Sequence, residues 1–227
     1  MYKTLKTFLK ENSEEEYRKF SLKLMKTGYP VYGIRSARIR NFSKELSKTV
    51  TDPDSIEPLS HEEILIRGYL ISYVKRDFKE YRKLSHEHLS YLDNWSTCDS
   101  FVSGAKWIKK YKDEYYKDIL KYTKSNKEYY QRYGLVVLLS YYMEDKYIND
   151  ILDIVRDTDY HNRYYDEMAG AWLLSYCFMY YFDKTYEYVL NNRINISVCK
   201  KGIQKGLDSY RISDNNKNLL RALRKEI

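Results

Sequence analysis

Trp95 and Asp99 stand four residues apart in the run Asp93-Asn94-Trp95-Ser96-Thr97-Cys98-Asp99-Ser100. If that run opens a helix, both side chains leave the same face, and an indole plane and a carboxylate are held side by side. Taken alone, the pair also reads as a capped helix with a core Trp and a solvated Asp. A second chemically suggestive residue is Arg132, a lone cation in Tyr129-Tyr130-Gln131-Arg132-Tyr133-Gly134 just before the apolar run Leu135–Leu139. Its planar fork suits a phosphate clamp better than Lys would. It equally reads as a buried Arg paired with a carboxylate or a carbonyl. The third is Trp172, which follows the small residues Ala169-Gly170-Ala171. Small residues let another backbone approach closely, whether a helix or a ligand, although core packing is the commoner reason for a Trp. Trp107 reads as such a core residue.

Other chemistries lack their residues. His61-Glu62-Glu63-Ile64-Leu65 starts like a zinc HExxH motif, but Leu65 stands where the second His is needed. His86 and His88 are close, yet no Cys or acidic cluster completes a metal site. A phosphate-binding glycine loop and a GxSxG elbow are both missing. Cys98 adjoins Asp99 without a nearby His, so it reads as a packed thiol.

The elements that must position these residues read as helices throughout. Leu5, Phe8 and Leu9 pattern a helix over Tyr2–Lys10. Ser13 with Glu16, Ser60 with Glu63 and Ser125 with Glu128 each match a capping box. Gly28 through Gly33, with Pro30, predict a break, and Ser36 a cap for a basic helix over Ala37–Thr49. Pro53 and Pro58 mark a loop, and a helix runs from Ser60 to about Val74. Two short helices are expected near 77–83 and 86–92. Asp93 or Asn94 then caps the Trp95 helix, which continues to about Lys110. Helices follow near 114–124, 127–143, 146–156, 162–182, 184–191, 196–209 and 214–225. No segment shows the alternation of a strand. Trp95, Arg132 and Trp172 recur at 37 and 40 residues, close to the period of HEAT or armadillo repeats. The expectation is an all-α superhelical solenoid of antiparallel helix pairs, one domain over 1–227. Stacked pairs would put the three residues on neighbouring rungs of one surface.

Composition narrows the partners. The 227 residues carry a net charge of +8 with a pI near 9.1, which favours a polyanion, nucleic acid before membrane. The excess is strongest in residues 1–50, with 12 Lys/Arg against 5 Asp/Glu. Cys98, Cys177 and Cys199 form no CxxC pair, which fits a reducing cytosol and inert thiols. Lys and Glu interrupt the start of the chain, so no signal peptide is expected. The longest charge-free run, Met168 to Phe182, has 15 residues, too short to span a membrane, and reads as a buried helix. The 27 tyrosines predict a partly amphipathic core.

Together these landmarks resemble the HEAT-like-repeat DNA alkylation repair family, the AlkD-type DNA glycosylases. Tyr32-Gly33-Ile34-Arg35 before a basic helix, Asp93–Ser100, Gln131-Arg132 and Ala171-Trp172 occur in the family's order at about its spacing. Two departures stand out: Ser36-Ala37 where relatives often carry Thr-Pro, and Asn94 in place of a possible second aromatic residue. The resemblance implies a DNA glycosylase of base-excision repair that removes cationic N3- or N7-alkylated purines from duplex DNA without base flipping. It assigns catalysis to Asp99, Trp95 and Trp172 and phosphate binding to Arg132. Arg35, just before the basic helix, and Arg38, on it, are possible DNA contacts. The implied partner is alkylated double-stranded DNA, bound by a cytoplasmic monomer, nucleoid-associated when on DNA, with no cofactor and no metal. The same sequence is compatible with a non-catalytic DNA-binding relative that recognises distorted or branched DNA, and with a protein-binding helical-repeat scaffold.

Overall fold

The computed structural model describes residues 2–50 and 52–227, and only the backbone of Tyr2 and Lys3. Among the described residues every regular element is a helix. The chain divides into two compact units, residues 1–111 and 112–227.

The first unit contains α1 (Tyr2–Glu11), α2 (Glu15–Leu24), α3 (Ser36–Leu46), α4 (His61–Tyr73), α5 (Phe78–His88) and α6 (Trp95–Gly104). Short 3-10 turns cover Pro53–Ser55, Leu89–Tyr91 and Lys106–Lys109. Its centre is α4, buried continuously from His61 to Ile71 and packed by α3, α5 and α6. Leu5, Leu9, Ile34, Ile39 and Leu46 close the core from the N-terminal side. Trp107 is buried as expected, stacked on Tyr81 at 4.7 Å.

The second unit contains α7 (Lys112–Thr123), α8 (Glu128–Tyr141), α9 (Ile148–Asp157), α10 (Tyr164–Tyr180), α11 (Phe182–Asn191), α12 (Ile196–Asp208) and α13 (Asp214–Glu226). Helices α8, α10 and α12 pack side by side. α10 and α12 run in the same direction, since Ser197 meets Glu167 near their starts and Ser209 meets Met179 near their ends. On the other side α7, α9 and α11 are linked by tyrosine hydroxyls, Tyr116 to Asp150 at 3.2 Å and Tyr188 to Asp153 at 2.6 Å. These pairs show one use of the many tyrosines: the ring packs and the hydroxyl reaches an acid on the neighbouring helix.

The capping expectations divide by what competes for each side chain. Ser60 caps α4, accepting from the Glu63 amide, while the Glu63 carboxylate accepts from the Leu59 amide. Ser13 does not cap α2. Its hydroxyl turns back to the Lys10 carbonyl at the end of α1, and Glu14 takes the cap position. Ser125 bonds the Lys127 amide within its own turn, leaving α8 to start without a side-chain cap. Ser36 is the first residue of α3, not its cap. The two short helices expected near 77–83 and 86–92 are one, α5, capped by Asp77 and continued by a 3-10 turn. No Gly or Pro interrupts it. The Trp95 helix stops at Gly104, short of Lys110, and is followed by the separate turn Lys106–Lys109.

α10 is not the wholly buried helix that its charge-free run suggested. Ala169, Ala171, Leu173, Leu174, Cys177 and Phe178 are buried, but Trp172 and Tyr176 are half-buried and Tyr180 is exposed. No helix among the described residues is long and apolar enough to cross a membrane.

Candidate functional site

Trp95 and Asp99 occupy successive turns of α6, so the expected helix and common face are present. Asn94, buried, is the cap, its side-chain oxygen accepting from the Thr97 amide at 3.1 Å. Asp93 has another task. One carboxylate oxygen accepts from the Thr27 hydroxyl and the Gly28 amide, both at 2.7 Å, and the other from Asn94 Nδ2 at 2.7 Å. The start of α6 is thereby tied to the break after α2. Trp95 is half-buried, and its indole Nε1 donates to the Leu24 carbonyl at 3.0 Å. That bond holds the ring beside a cavity of about 180 Å³, lined by Tyr17, Ile34, His61, Ser96 and Ser100 among others. Burial pushes the His61 imidazole below its usual pKa, favouring the neutral ring. Asp99 is half-buried.

The segment before α3 depends on a residue that motif reading passed over. Glu62 is buried, and its carboxylate accepts from the amides of Tyr32, Gly33 and Ile34 at 3.0, 2.8 and 3.2 Å. The failed HExxH motif is therefore structural, with Glu62 organising the turn that delivers Arg35. Gly33 sits at φ 79°, and an added Cβ would lie 2.5 Å from the Glu14 carbonyl oxygen. Only glycine fits that close approach in a left-handed conformation. Arg35 and Arg38 are exposed and both reach Glu14, at 3.0 and 3.4 Å. These surface pairs are worth little in stability.

In the second unit, Arg132 lies on α8 and is 6% exposed. Its Nη1 donates to the Tyr165 carbonyl at 3.0 Å, as expected of an Arg satisfied by a carbonyl. Gln131 beside it is buried and ties two backbones together, donating to the carbonyls of Thr123 and Asp159 at 3.0 and 2.9 Å. Asp166, on the first turn of α10, bonds Arg163 at 2.5 Å while its Oδ1 is buried without a hydrogen-bond partner. Burial pushes this carboxyl up to about 7 against the opposing pull of Arg163. Nothing in the local sequence distinguished Asp166 from an ordinary first-turn acid. Lys205 on α12 is a second cation within electrostatic reach of Arg132. Burial, and then Arg132, push its pKa down.

Trp172 packs edge-to-face with Tyr176, ring centroids 6.0 Å apart. The small residues before it serve helix packing. A Cβ on Gly170 would meet the buried Tyr160 ring at 2.4 Å, and Gly202 of α12 lies over the Ala171 carbonyl. All three cysteines are buried. Burial pushes Cys177 up to about 12 and Cys199 up to about 11, consistent with inert thiols. Among the described residues no group of three or more His, Cys, Asp or Glu is placed to hold a metal ion.

These landmarks, from Arg35 to Trp172, fall inside the stretch matched by one family model, described as DNA alkylation repair enzyme, which covers residues 5–201. No curated protein and no solved structure matches the chain. With most of its length matched, including the indole–carboxylate pair on α6 and Arg132 and Trp172 in the second unit, the chain belongs to the DNA alkylation repair enzyme family.

Proposed function

We propose that this family member is a DNA glycosylase that hydrolyses the N-glycosidic bond of cationic N3- or N7-alkylated purines in duplex DNA without flipping the base. The observation that carries the reading is the α6 pair: a half-buried carboxylate, Asp99, one turn beyond an indole fixed through its own N–H. An alkylated purine is already positively charged and leaves without being protonated, so the reaction needs no general acid. What needs stabilising is the oxocarbenium-like sugar as the bond breaks. Asp99 supplies negative charge for it and orients the attacking water. The indole face of Trp95 adds cation–π attraction, about 0.5–2 kcal/mol, and the family resemblance gives Trp172 a catalytic role as well. Arg132 holds a backbone phosphate and sets register, with Arg35 and Arg38 as further phosphate contacts.

The HEAT-like repeat reading is part of this proposal. Its support is the second unit, where α8, α10 and α12 form one row and α7, α9 and α11 another. We place the action on cytoplasmic DNA, by a monomer using no metal and no cofactor.

Release of 7-methylguanine from methylated duplex DNA by the purified protein tests the proposal, and free base should accumulate with time. A second reading, a non-catalytic DNA-binding relative, draws on the Tyr165 carbonyl that already occupies Arg132. Protein that binds duplex DNA and releases no base establishes that reading instead.

A further inference from the structure

The exposed side of α10 carries aromatic rings at every turn. Trp172, Tyr176 and Tyr180 are four residues apart, with centroid separations of 6.0 and 5.9 Å. The opposite side of the helix is the buried one, so core packing explains these rings only in part. Tyr180 is 53% exposed, and Tyr210, in the turn between α12 and α13, is 88% exposed. Arg211 joins the two. Its Nη1 donates to the Tyr180 hydroxyl at 3.0 Å, and its guanidinium carbon lies 5.9 Å from the Tyr210 ring centroid.

The helix packed along α10, α12, carries a cation of its own, Lys205. Lys205 makes no ion pair among the described residues. Arg132 lies within electrostatic reach with like charge, and Asp208 with opposite charge. Lys205, Tyr210 and Arg211 lie beyond the stretch matched by the family, which ends at residue 201.

We propose that the row Trp172–Tyr176–Tyr180, continued by Tyr210 and flanked by Lys205 and Arg211, is a binding site for single-stranded DNA. Rings take the faces of unpaired bases, and the two cations take phosphates. Paired bases inside a duplex do not offer their faces to a side chain. The ring spacing is wider than the ~3.4 Å repeat of a stacked strand in B-DNA, so an extended, unstacked strand fits the row better. The site would hold a strand that has separated near a lesion or at an end. The inference rests on the glycosylase reading only in sharing Trp172, because strand binding is measured without excision.

Fluorescence anisotropy with a labelled twelve-nucleotide oligo-dT tests it. Tyr180→Ala/Tyr210→Ala removes two exposed rings, so the fold should be intact, with an unchanged melting temperature as the check. Affinity for the oligonucleotide should fall on the order of tenfold or more, while Tyr180→Phe/Tyr210→Phe, which keeps both rings and loses only the Arg211 bond, stays closer to wild type than the Ala variant. Wild-type protein that does not bind the oligonucleotide overturns the site, as does an Ala variant that binds it equally well. A Phe variant as weak as the Ala variant overturns stacking as its basis. The glycosylase reading stands or falls separately, on release of 7-methylguanine by wild-type protein.

Discussion

At the scale of single residues, the consequential assignment is Asp99. Its proposed role is electrostatic and positional, and both parts need a charged oxygen. Asp99→Asn keeps the shape and removes the charge, so excision should fall by roughly 10²-fold or more, the scale of losing one preorganised electrostatic group. DNA binding should stay the same or tighten slightly, because a negative charge leaves a surface that faces phosphates. Equal excision by wild type and Asp99→Asn would show that the catalytic charge lies elsewhere. Trp95 is a less clean probe. Its Nε1 bond to Leu24 and its place beside the first unit's cavity make it structural as well. Trp95→Ala should lower both excision and melting temperature. Glu62 shows the same double character in reverse, looking catalytic in the HExxH-like run yet spending its carboxylate on three backbone amides.

At the scale of elements, helix placement depends on a few close approaches. Gly170 allows the Tyr160 ring to lie against α10, where Tyr160 is buried and its hydroxyl reaches the Val155 carbonyl at 2.9 Å. Burial holds this ring between α9 and α10, so it cannot swing aside as an exposed side chain would. Gly170→Ala should therefore destabilise the protein by about 2–3 kcal/mol, even though Ala is the better helix former. Thermal unfolding checks this, with an expected fall of several degrees. An unchanged or raised melting temperature would mean that the helices separate at little cost. The Asn94 cap and the Asp93 tether hold α6 in a comparable way, by fixing where the helix starts rather than by burying area.

For the whole molecule, the lysines and arginines behind the net charge of +8 make the salt response of DNA binding the informative measurement. If Lys and Arg neutralise phosphates, log K falls linearly with log salt, because bound counterions are released. Arg132→Ala should weaken duplex binding across all sequences and reduce that slope by at most about one unit. Titrations at a series of salt concentrations measure both effects. Binding indifferent to salt would favour the protein-scaffold reading, in which the charge is incidental. Because Arg132 already donates to the Tyr165 carbonyl, part of the loss in Arg132→Ala will be structural. A melting curve alongside the titration separates the two contributions.

What the sequence by itself determined is what depends on contacts within one turn. Helical periodicity, the Ser60–Glu63 box, a cap at Asp93 or Asn94 and the pairing of Trp95 with Asp99 are encoded by residues three or four apart, so they follow from adjacency, whereas the choice of Asn94 as cap needed Thr27 and Gly28 to engage Asp93. Family membership was legible for a related reason: its landmarks keep order and spacing along the chain. The tertiary structure alone decided the matters that depend on distant partners. Ser13 and Ser125 have the right neighbours for capping but find other bonds nearby. Arg132 could be read as clamp or buried cation until Tyr165, 33 residues away, supplied a carbonyl. The run Met168 to Phe182 has no charge, yet α8 and α12 cover only part of α10 and leave one side exposed. Burial is a property of what packs against a face, and a single helix's sequence does not contain its neighbours.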